Sequence, residues 1–251
     1  MSGIAAGAPA SEAARTDGSA TQDLRHEFDG ARATRTRVLV VDDHLAFAEC
    51  LALAINARPD LECTVTAVSI SDGLLAAERT SPDVILLDVV LPDGDGVDAI
   101  GRFREAAPGT RILILTGHTD LDVLTRAAAA GASGFLQKEA DVESIVRAIR
   151  AARDGTILVE QTTLTSILGR VRSGPATPTG DDRPRLTARE MDVLALMGEG
   201  LDPHAIAKLL EISLNTCRGY QKSIMAKLDA HSQLEAVVVA TRRGIIRPQV
   251  A

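Results

Sequence analysis

Two acidic residues directly follow the first long apolar run of the chain, VLVVDDH (38–44). A second apolar run, VILLD, ends at Asp88. Runs of this length and composition predict buried strands, and the carboxyl ends of parallel strands meet at one edge of a sheet. We therefore expect Asp42, Asp43 and Asp88 to lie close together. Carboxylates at such distances repel each other unless a cation lies between them.

The next two predicted strands also end in polar side chains. ILILT ends at Thr116, and GFLQK ends at Lys138. Three carboxylates provide the hard oxygen ligands that Mg²⁺ prefers, and a carboxylate whose charge is offset by a metal and an ammonium can act as a nucleophile. Any one of these acids alone would be interpreted as a solvated loop residue. Together, the five side chains predict Mg²⁺-dependent phosphoryl chemistry on a carboxylate.

Short apolar runs alternate with stretches of helical periodicity between residues 38 and 153. We predict strands at 38–41, 63–68, 84–87, 112–115 and 134–137, and helices at 44–57, 71–80, 95–107, 120–131 and 140–153. Apolar strands that alternate with helices indicate a parallel sheet covered on both faces. The predicted fold class of this region is α/β, with five βα units wound on both sides of one sheet.

The region after residue 184 predicts four helices and no strand. The longest covers LNTCRGYQKSIMAKL (214–228) and follows a short turn, which is typical of a helix-turn-helix module that places one helix in the major groove. Polar caps mark the starts of the other helices. We predict capping boxes of Thr187 with Glu190 and of Ser232 with Glu235, and a cap at Asp202 with Pro203 at the first helical position.

The chain divides by composition into four segments. Residues 1–36 lack apolar periodicity, and SGPATPTGDDRP (173–184) has little to bury, which indicates a disordered tail and a linker. The predicted segments are a tail (1–36), an α/β domain (37–156), a helical or flexible linker (157–184) and an all-α domain (185–251). Residues 37–156 carry 11 basic and 19 acidic side chains, whereas residues 183–251 carry 10 and 7. The positive charge of the second domain favours an approach to nucleic-acid phosphates.

The three cysteines, Cys50, Cys63 and Cys217, have neither a disulfide nor a metal-binding spacing. The N-terminus lacks the basic and apolar segments of a secretion signal, and no apolar run approaches the ~18 residues that a membrane span requires. We interpret the cysteines as reduced core residues, and we expect a cytoplasmic protein without a membrane partner.

Residues 37–154 resemble the receiver domain of bacterial two-component response regulators, in the Asp-Asp pair, the LLDVVLPDGDG loop and the T-G and FLQK strand endings. The resemblance implies that a sensor histidine kinase phosphorylates Asp88. It also implies a Mg²⁺ ion bound by Asp88, directly by Asp43, largely through water by Asp42, and by the backbone carbonyl of Val90. Only transfer of the phosphoryl group and its slow loss would be catalysed, so we expect no enzyme in the usual sense.

The same resemblance assigns roles to three further residues. Thr116 and Lys138 would contact the phosphoryl oxygens. Phe135 would be the switch aromatic, which rotates into the space that Thr116 leaves. Packing of Phe135 in the core of its strand is the simpler explanation that stays open.

Residues 186–240 resemble the LuxR/NarL-type helix-turn-helix, in the motifs LTARE, EGL, IAKLL and HSQLEA. The resemblance implies that phosphorylation favours a homodimer and its binding to an inverted repeat in double-stranded promoter DNA. It also implies a dimer contact through the last helix and RNA polymerase as a further partner. The candidate contacts are Arg218, Gly219 and Lys222 in the groove, Tyr220 and Lys227 at phosphates, and Gln221, which adjoins the face of Arg218 and Lys222.

This module departs from its family at two positions. The usual T-V-K-x-H becomes Thr216-Cys217-Arg218-Gly219-Tyr220. Gly219 costs roughly 1 kcal/mol of helix propensity relative to alanine, and it either permits close approach of DNA or is simply tolerated.

Three other functions stay open at this point. An orphan regulator would have the same fold and act without phosphorylation. An aspartyl-phosphate phosphatase would also use acidic strand ends, but it usually carries a second acid two residues after the nucleophile, where this chain has Val90. An adaptor that has lost DNA binding is favoured only by Gly219.

Overall fold

The computed structural model describes residues 35–117, 120–157, 159–173 and 185–247. The predicted tail lies outside these residues except for its last two positions, and the predicted break at 173–184 lies outside them except for Ser173. The described residues form an α/β region and a helical region that pack against each other.

Five parallel strands form one sheet in the order β2–β1–β3–β6–β7. The strands are β1 (Thr36–Val41), β2 (Leu61–Ala67), β3 (Val84–Asp88), β6 (Arg111–Thr116) and β7 (Gly134–Gln137). The central strand β3 is buried along its whole length, because its apolar side chains point to both covered faces. The predicted α/β class is confirmed. The strand order reverses between β1 and β3, the place where such sheets bind ligands.

Five helices cover the two faces of the sheet. They are α1 (Leu45–Asn56), α2 (Ile70–Thr80), α3 (Gly96–Ala106), α4 (Leu121–Ala130) and α5 (Val142–Arg153). Alternate residues of β1 point to opposite faces. Val38 and Val40 pack with α1 and α5, whereas Leu39 and Val41 pack with α2, α3 and α4.

A short hairpin between β3 and α3 is absent from the sequence prediction. Its strands β4 (Val90–Leu91) and β5 (Gly94–Asp95) pair antiparallel around a two-residue turn. Two-residue strands are too short for a detectable alternation of apolar and polar residues. Gly96 follows the hairpin and lies against the end of β3. A Cβ there would be 1.9 Å from the backbone oxygen of Asp88, so only glycine fits.

The helical region contains the four predicted helices. They are α7 (Ala188–Gly198), α8 (Pro203–Leu209), α9 (Leu214–Leu228) and α10 (Gln233–Arg242). The capping box of Thr187 and Glu190 is present in full. Ser232 caps α10, but the Glu235 carboxylate accepts the N–H of His231 at 2.7 Å, one residue earlier than the predicted capping box requires.

The segment predicted as a helical or flexible linker contains the helix α6 (Gln161–Ser173). Leu164, Ile167 and Leu168 form its buried face. They share one core cluster with α4 and with α7 to α10. This part of the linker is therefore packed between the two regions.

None of the described helices is long and apolar enough to cross a membrane. All three cysteines are free thiols. Cys217 is buried in the core as predicted. Cys63 is half-buried, and Cys50 is exposed because it lies on the outer face of α1, so the prediction of a core position is wrong for Cys50.

Candidate functional site

The acidic residues at the ends of β1 and β3 form one cluster. Ligand atoms of Asp42, Asp43, His44 and Asp88 all lie within 4.8 Å of one another. Asp42 and Asp88 are buried, whereas 38% of the Asp43 side chain is exposed. The backbone N–H of His44 donates to Asp42 Oδ1 at 2.9 Å and thereby orients that carboxylate. The residues meet because β1 and β3 are neighbouring parallel strands.

Lys138, just after β7, bridges the two buried carboxylates. Its Nζ lies 2.7 Å from Oδ2 of both Asp88 and Asp42. The contact with Asp88 is a hydrogen bond, whereas Asp42 Oδ2 is a buried oxygen that accepts no hydrogen bond with good geometry. The same ammonium lies 5.6 Å from the centre of the Phe47 ring, close enough for a cation–π contact. Lys138 is therefore held over the acidic cluster from two sides.

The cluster fits a Mg²⁺ ion by its donor set and its charge. It presents three carboxylates, and one of their buried oxygens lacks a hydrogen bond. Burial raises the pKa of Asp88, although the hydrogen bond and charge of Lys138 oppose the rise. For Lys138, burial acts to lower the pKa, but the two carboxylates outweigh it and raise the pKa. Val90, the predicted carbonyl ligand, is an exposed residue of β4, the short strand that follows Asp88.

The loop after Asp88 is held by two further acids to which the sequence prediction gives no role. Asp93 accepts the backbone N–H groups of Ile70 and Ser71 at 2.8 and 2.9 Å, and these hydrogen bonds lower its pKa. Asp95 caps the first turn of α3. Both lie in the turn sequence PDGD, in which aspartate commonly accepts backbone N–H groups. That pattern could have identified them.

The predicted switch residues border one cavity. Thr116 is buried at the end of β6. Phe135 is half-buried in β7 and packs against both the core of the α/β region and the core that contains α6. A cavity of about 450 Å³ is lined by Thr116, Phe135 and Leu124, among others. Free volume is therefore present beside both side chains.

The predicted groove-facing residues are exposed on α9. Arg218, Gly219 and Lys222 all lie on the surface of this helix. A Cβ placed on Gly219 would meet nothing within 4 Å, so the fold does not require glycine there. The side of α9 that carries two positive charges is thus accessible to a nucleic acid.

Gln221 does not belong to that exposed side. It is 2% exposed, and its side-chain amide donates to the Gln233 side chain at 3.5 Å. Cys217, Gln221, Ile224 and Leu228 form the buried stripe of α9. Their spacing of three or four residues places them on one face. The prediction of a DNA contact at Gln221 is therefore wrong for this structure.

Tyr220 and Lys227 are also engaged by the fold. Tyr220 is half-buried against the core. The Lys227 Nζ lies 2.8 and 2.6 Å from the two Oε atoms of Glu190, which also accept from Ser223 and Thr187. Burial acts to raise the pKa of Glu190, but these hydrogen bonds outweigh it and lower the pKa to about 2. Phosphate contacts at Tyr220 and Lys227 stay predictions.

Two family models match this chain. The model described as response regulator receiver domain matches residues 38–150. The model described as bacterial regulatory proteins, luxR family, matches residues 184–240. The two matches coincide with the α/β region and the helical region.

Known proteins are similar to this chain over both regions. Transcriptional regulatory protein LiaR of Bacillus subtilis is 32% identical over 84% of this chain and 99% of its own. The DNA-binding transcriptional activator DevR/DosR of Mycobacterium tuberculosis is 30% identical over 84% and 97%. The crystal structure of a LuxR-family two-component response regulator from Aurantimonas sp. SI85-9A1 is 28% identical, covers 55% of this chain and 98% of its own, and has a TM-score of 0.50. The chain therefore belongs to the LuxR/NarL-type response regulators, in which a receiver domain precedes a DNA-binding helix-turn-helix domain.

Proposed function

We propose that this chain regulates transcription in response to phosphorylation of Asp88 by a sensor histidine kinase. The observation that carries the proposal is the meeting of Asp88, Asp42 and Lys138 at one edge of the sheet, with the ammonium 2.7 Å from both carboxylates. A fixed cation beside a carboxylate nucleophile stabilises the charge that develops in phosphoryl transfer.

Asp88 would be the nucleophile of this transfer. One of its carboxylate oxygens would attack phosphorus, the bond from phosphorus to the imidazole nitrogen of the kinase would break, and an acyl phosphate would form. Mg²⁺ held by Asp42, Asp43, Asp88 and the Val90 carbonyl would offset the charge of the reacting oxygens. Lys138 would move from its bridging position onto a phosphoryl oxygen.

Thr116 and Phe135 would change position in response to the phosphorylation of Asp88. The new phosphoryl oxygens are strong acceptors and would draw the Thr116 hydroxyl toward them. Phe135 would then move into the volume that Thr116 leaves. The cavity beside both residues supports this proposal, since a closely packed core would resist such a movement.

DNA would be read by α9. An arginine at position 218 suits guanine edges, and a lysine at position 222 suits phosphates or guanine. The exposure of both side chains supports this assignment. Binding as a homodimer on an inverted repeat would double these contacts, with RNA polymerase as a further partner. Because promoter DNA lies in the bacterial cytoplasm, we place the protein there.

We assign the segments accordingly: 1–36 as a tail, 37–156 as the receiver, 157–184 as a linker that includes α6, and 185–251 as the DNA-binding domain. The compact unit that begins at Arg35 supports the first boundary. The two family matches support the other divisions.

The test is a pull-down of fragmented host DNA with the purified chain, with and without Mg²⁺ and beryllofluoride, a mimic of the phosphoryl group. We expect sites that share an inverted repeat to be enriched only with the mimic. Asp88→Asn should abolish this dependence, whereas Asp154→Asn, an exposed acid at the end of α5, should retain it. Equal enrichment of the same sites without the mimic would favour an orphan regulator.

A further inference from the structure

A second cavity lies beside the amino end of β6, at the opposite edge of the sheet from Asp88. Its volume is about 480 Å³, within the range of about 300–1,000 Å³ that is typical of small-molecule sites. Arg104 of α3 and Arg111 of β6 line it from the α/β region, and His231, just before α10, lines it from the helical region. Two guanidinium groups and an imidazole therefore border one space.

Arg111 is a half-buried cation without a carboxylate partner. Its Nη1 donates to the carbonyl oxygen of His231 at 2.8 Å, and no carboxylate of the described residues lies within ion-pair distance of it. Burial lowers the pKa of its guanidinium. Because a charge that is removed from water is costly unless it is paired, an anion in the cavity would stabilise Arg111.

Two polar atoms beside the same cavity also lack hydrogen-bond partners. They are Nε of Arg104 and Oγ1 of Thr110, and both are buried. Thr110 is 8% exposed and lines the cavity. Among the described residues, four buried side-chain atoms lack a hydrogen bond, and two of them belong to residues that line this cavity. Since buried polar groups are usually satisfied, this edge of the sheet has unused hydrogen-bonding capacity.

The charges around the cavity favour an anion. The Nη1 of Arg104 donates to the carbonyl oxygen of Ala130 at 3.1 Å and lies 4.0 Å from the carboxylate of Glu235, which offsets part of its charge. Glu105 also lines the cavity, but it is exposed, so solvent and salt screen its charge. The positive charge of Arg111 is therefore the least compensated charge of the lining.

The chemistry of the lining suits a phosphate group that carries an organic body. A guanidinium presents its N–H groups in a planar fork that matches two oxygens of a phosphate. Other parts of the wall are Gly101, Pro108 and Gly109, which have no polar side chain. A free phosphate ion would fill only a small part of the cavity, and the remaining volume would accommodate carbon atoms against these residues.

We propose that this cavity binds a phosphate group through Arg111 and Arg104, and that its volume favours a phosphate monoester over the free ion. The site is separate from the acidic cluster and from α9, so the inference depends neither on phosphorylation of Asp88 nor on DNA binding. Because His231 also lines the cavity, a bound ligand would contact both the α/β region and the helical region.

Isothermal titration calorimetry of the full chain without Mg²⁺ tests the proposal with three probes: adenosine 5′-monophosphate, inorganic phosphate and adenosine. We expect the monoester to bind most tightly, inorganic phosphate to bind more weakly, and adenosine to give no heat of binding. Equal affinities of the monoester and inorganic phosphate would support the phosphate site with the free ion as its ligand. Adenosine that binds as tightly as the monoester, or an absence of binding by both phosphates, would overturn the proposal.

Substitutions on the lining locate the site. Arg111→Ala should raise the dissociation constant of the monoester by at least about tenfold, because it removes hydrogen bonds to a charged group. Arg111→Lys retains the charge but not the fork and should give a smaller increase. Arg102→Ala removes an exposed arginine of the same helix as Arg104, outside the cavity lining. It is the matched control and should leave binding unchanged.

Gly101→Leu tests the cavity while both arginines stay in place. A Cβ at this position meets nothing within 4 Å, so the helix accepts the larger side chain, which then occupies part of the cavity. The substitution should weaken binding of the monoester more than binding of inorganic phosphate. Unchanged binding of the monoester in both Gly101→Leu and Arg111→Ala would contradict the proposed site.

The exposed positive side of α9 is the competing location for a phosphate. Arg218→Ala should leave binding of the monoester unchanged. Loss of binding in Arg218→Ala, together with full binding in Arg111→Ala, would place the phosphate on α9 and overturn the proposal.

Discussion

The acidic cluster of the receiver and the face of α9 that we propose to contact DNA place their charges differently. In the cluster, Asp42, Asp88 and Lys138 are candidate functional groups, and the half-buried Lys138 also offsets part of the charge of the two buried carboxylates. On α9, Arg218 and Lys222 are exposed, while other polar residues hold the helix in position. The comparison teaches that function and stability are coupled in the first site and separable in the second.

Lys138→Ala should give the largest effect, because it changes both the candidate phosphorylation site and the stability of the fold. Removing the ammonium leaves two buried carboxylates unpaired and should lower the free energy of unfolding by about 3 kcal/mol. Mg²⁺ should restore part of this loss, since it can replace the ammonium as counter-charge. Urea unfolding with and without Mg²⁺ measures both effects. Arg150→Ala, at an exposed ion pair, should cost less than about 1 kcal/mol and show no dependence on Mg²⁺.

Glu190→Gln should lower the stability of the DNA-binding domain without acting on a candidate functional group, because we propose no DNA contact for Glu190. The substitution weakens the contact between the buried Glu190 carboxylate and the exposed Lys227, and should cost about 2–3 kcal/mol. Arg189→Gln, which breaks an exposed pair with Asp192, should change stability by less than about 1 kcal/mol. Equal effects of the two substitutions in urea unfolding would contradict the structural role of Glu190.

The pH dependence of the free energy of unfolding should show the contribution of the Glu190 carboxylate. The pKa of Glu190 is lowered from 4.5 to about 2 in the folded chain. The stabilisation is therefore present above pH 4.5 and is lost as the pH falls toward 2. The wild type should lose about 3 kcal/mol more than Glu190→Gln across this interval. Parallel pH profiles of the two proteins would show that Glu190 titrates normally.

Arg218→Ala and Gln221→Ala should separate DNA binding from stability on one helix. Arg218→Ala should weaken binding to the recovered DNA site by about 1–3 kcal/mol and leave unfolding nearly unchanged. Gln221→Ala should cost about 1 kcal/mol of stability through the lost contact with Gln233. Fluorescence anisotropy and urea unfolding give the two quantities. A larger loss of binding for Gln221→Ala in the folded protein would restore the original prediction at this position.

Gly219→Ala should give the smallest effect. It should raise the stability of α9 and lower the affinity for DNA. Because a Cβ meets no neighbour within 4 Å, alanine should stabilise α9 by up to about 1 kcal/mol. If the backbone approaches DNA closely, affinity should fall at the same time. Unchanged affinity with raised stability would show that the glycine is only tolerated. Gly169→Ala on α6, also without a neighbour within 4 Å, is the control for helix propensity alone.

The receiver site could be predicted from sequence because its residues follow strands. Apolar runs identify strands, and parallel strands bring their carboxyl ends to one edge, so Asp42, Asp88 and Lys138 meet whatever the details of packing. On a helix, one position is a rotation of about 100°, and a small error changes the face. Gln221 illustrates this: it adjoins Lys222 in sequence, yet it lies in the buried stripe.

Other features depend on contacts between segments that are distant in sequence. Glu235 matches a capping box locally, but its carboxylate accepts from His231 and also approaches Arg104 of the receiver. The segment of α6 lies in a predicted linker, because its apolar stripe has no evident partner until α4 and α10 are placed beside it. No local pattern contains that information.

The sequence by itself determined the α/β order, the N-cap residues of α7, α8 and α10 and the set of side chains at the carboxyl edge of the sheet, because strand period, capping and parallel topology are local or near-local rules. Only the tertiary structure decided which helix the receiver covers. The contact between Ser232 and Ala132 joins residues 100 positions apart. Whether α10 or α9 faces the receiver depends on how the apolar stripes of α4, α6 and α10 fit together, and that choice is made by packing in three dimensions.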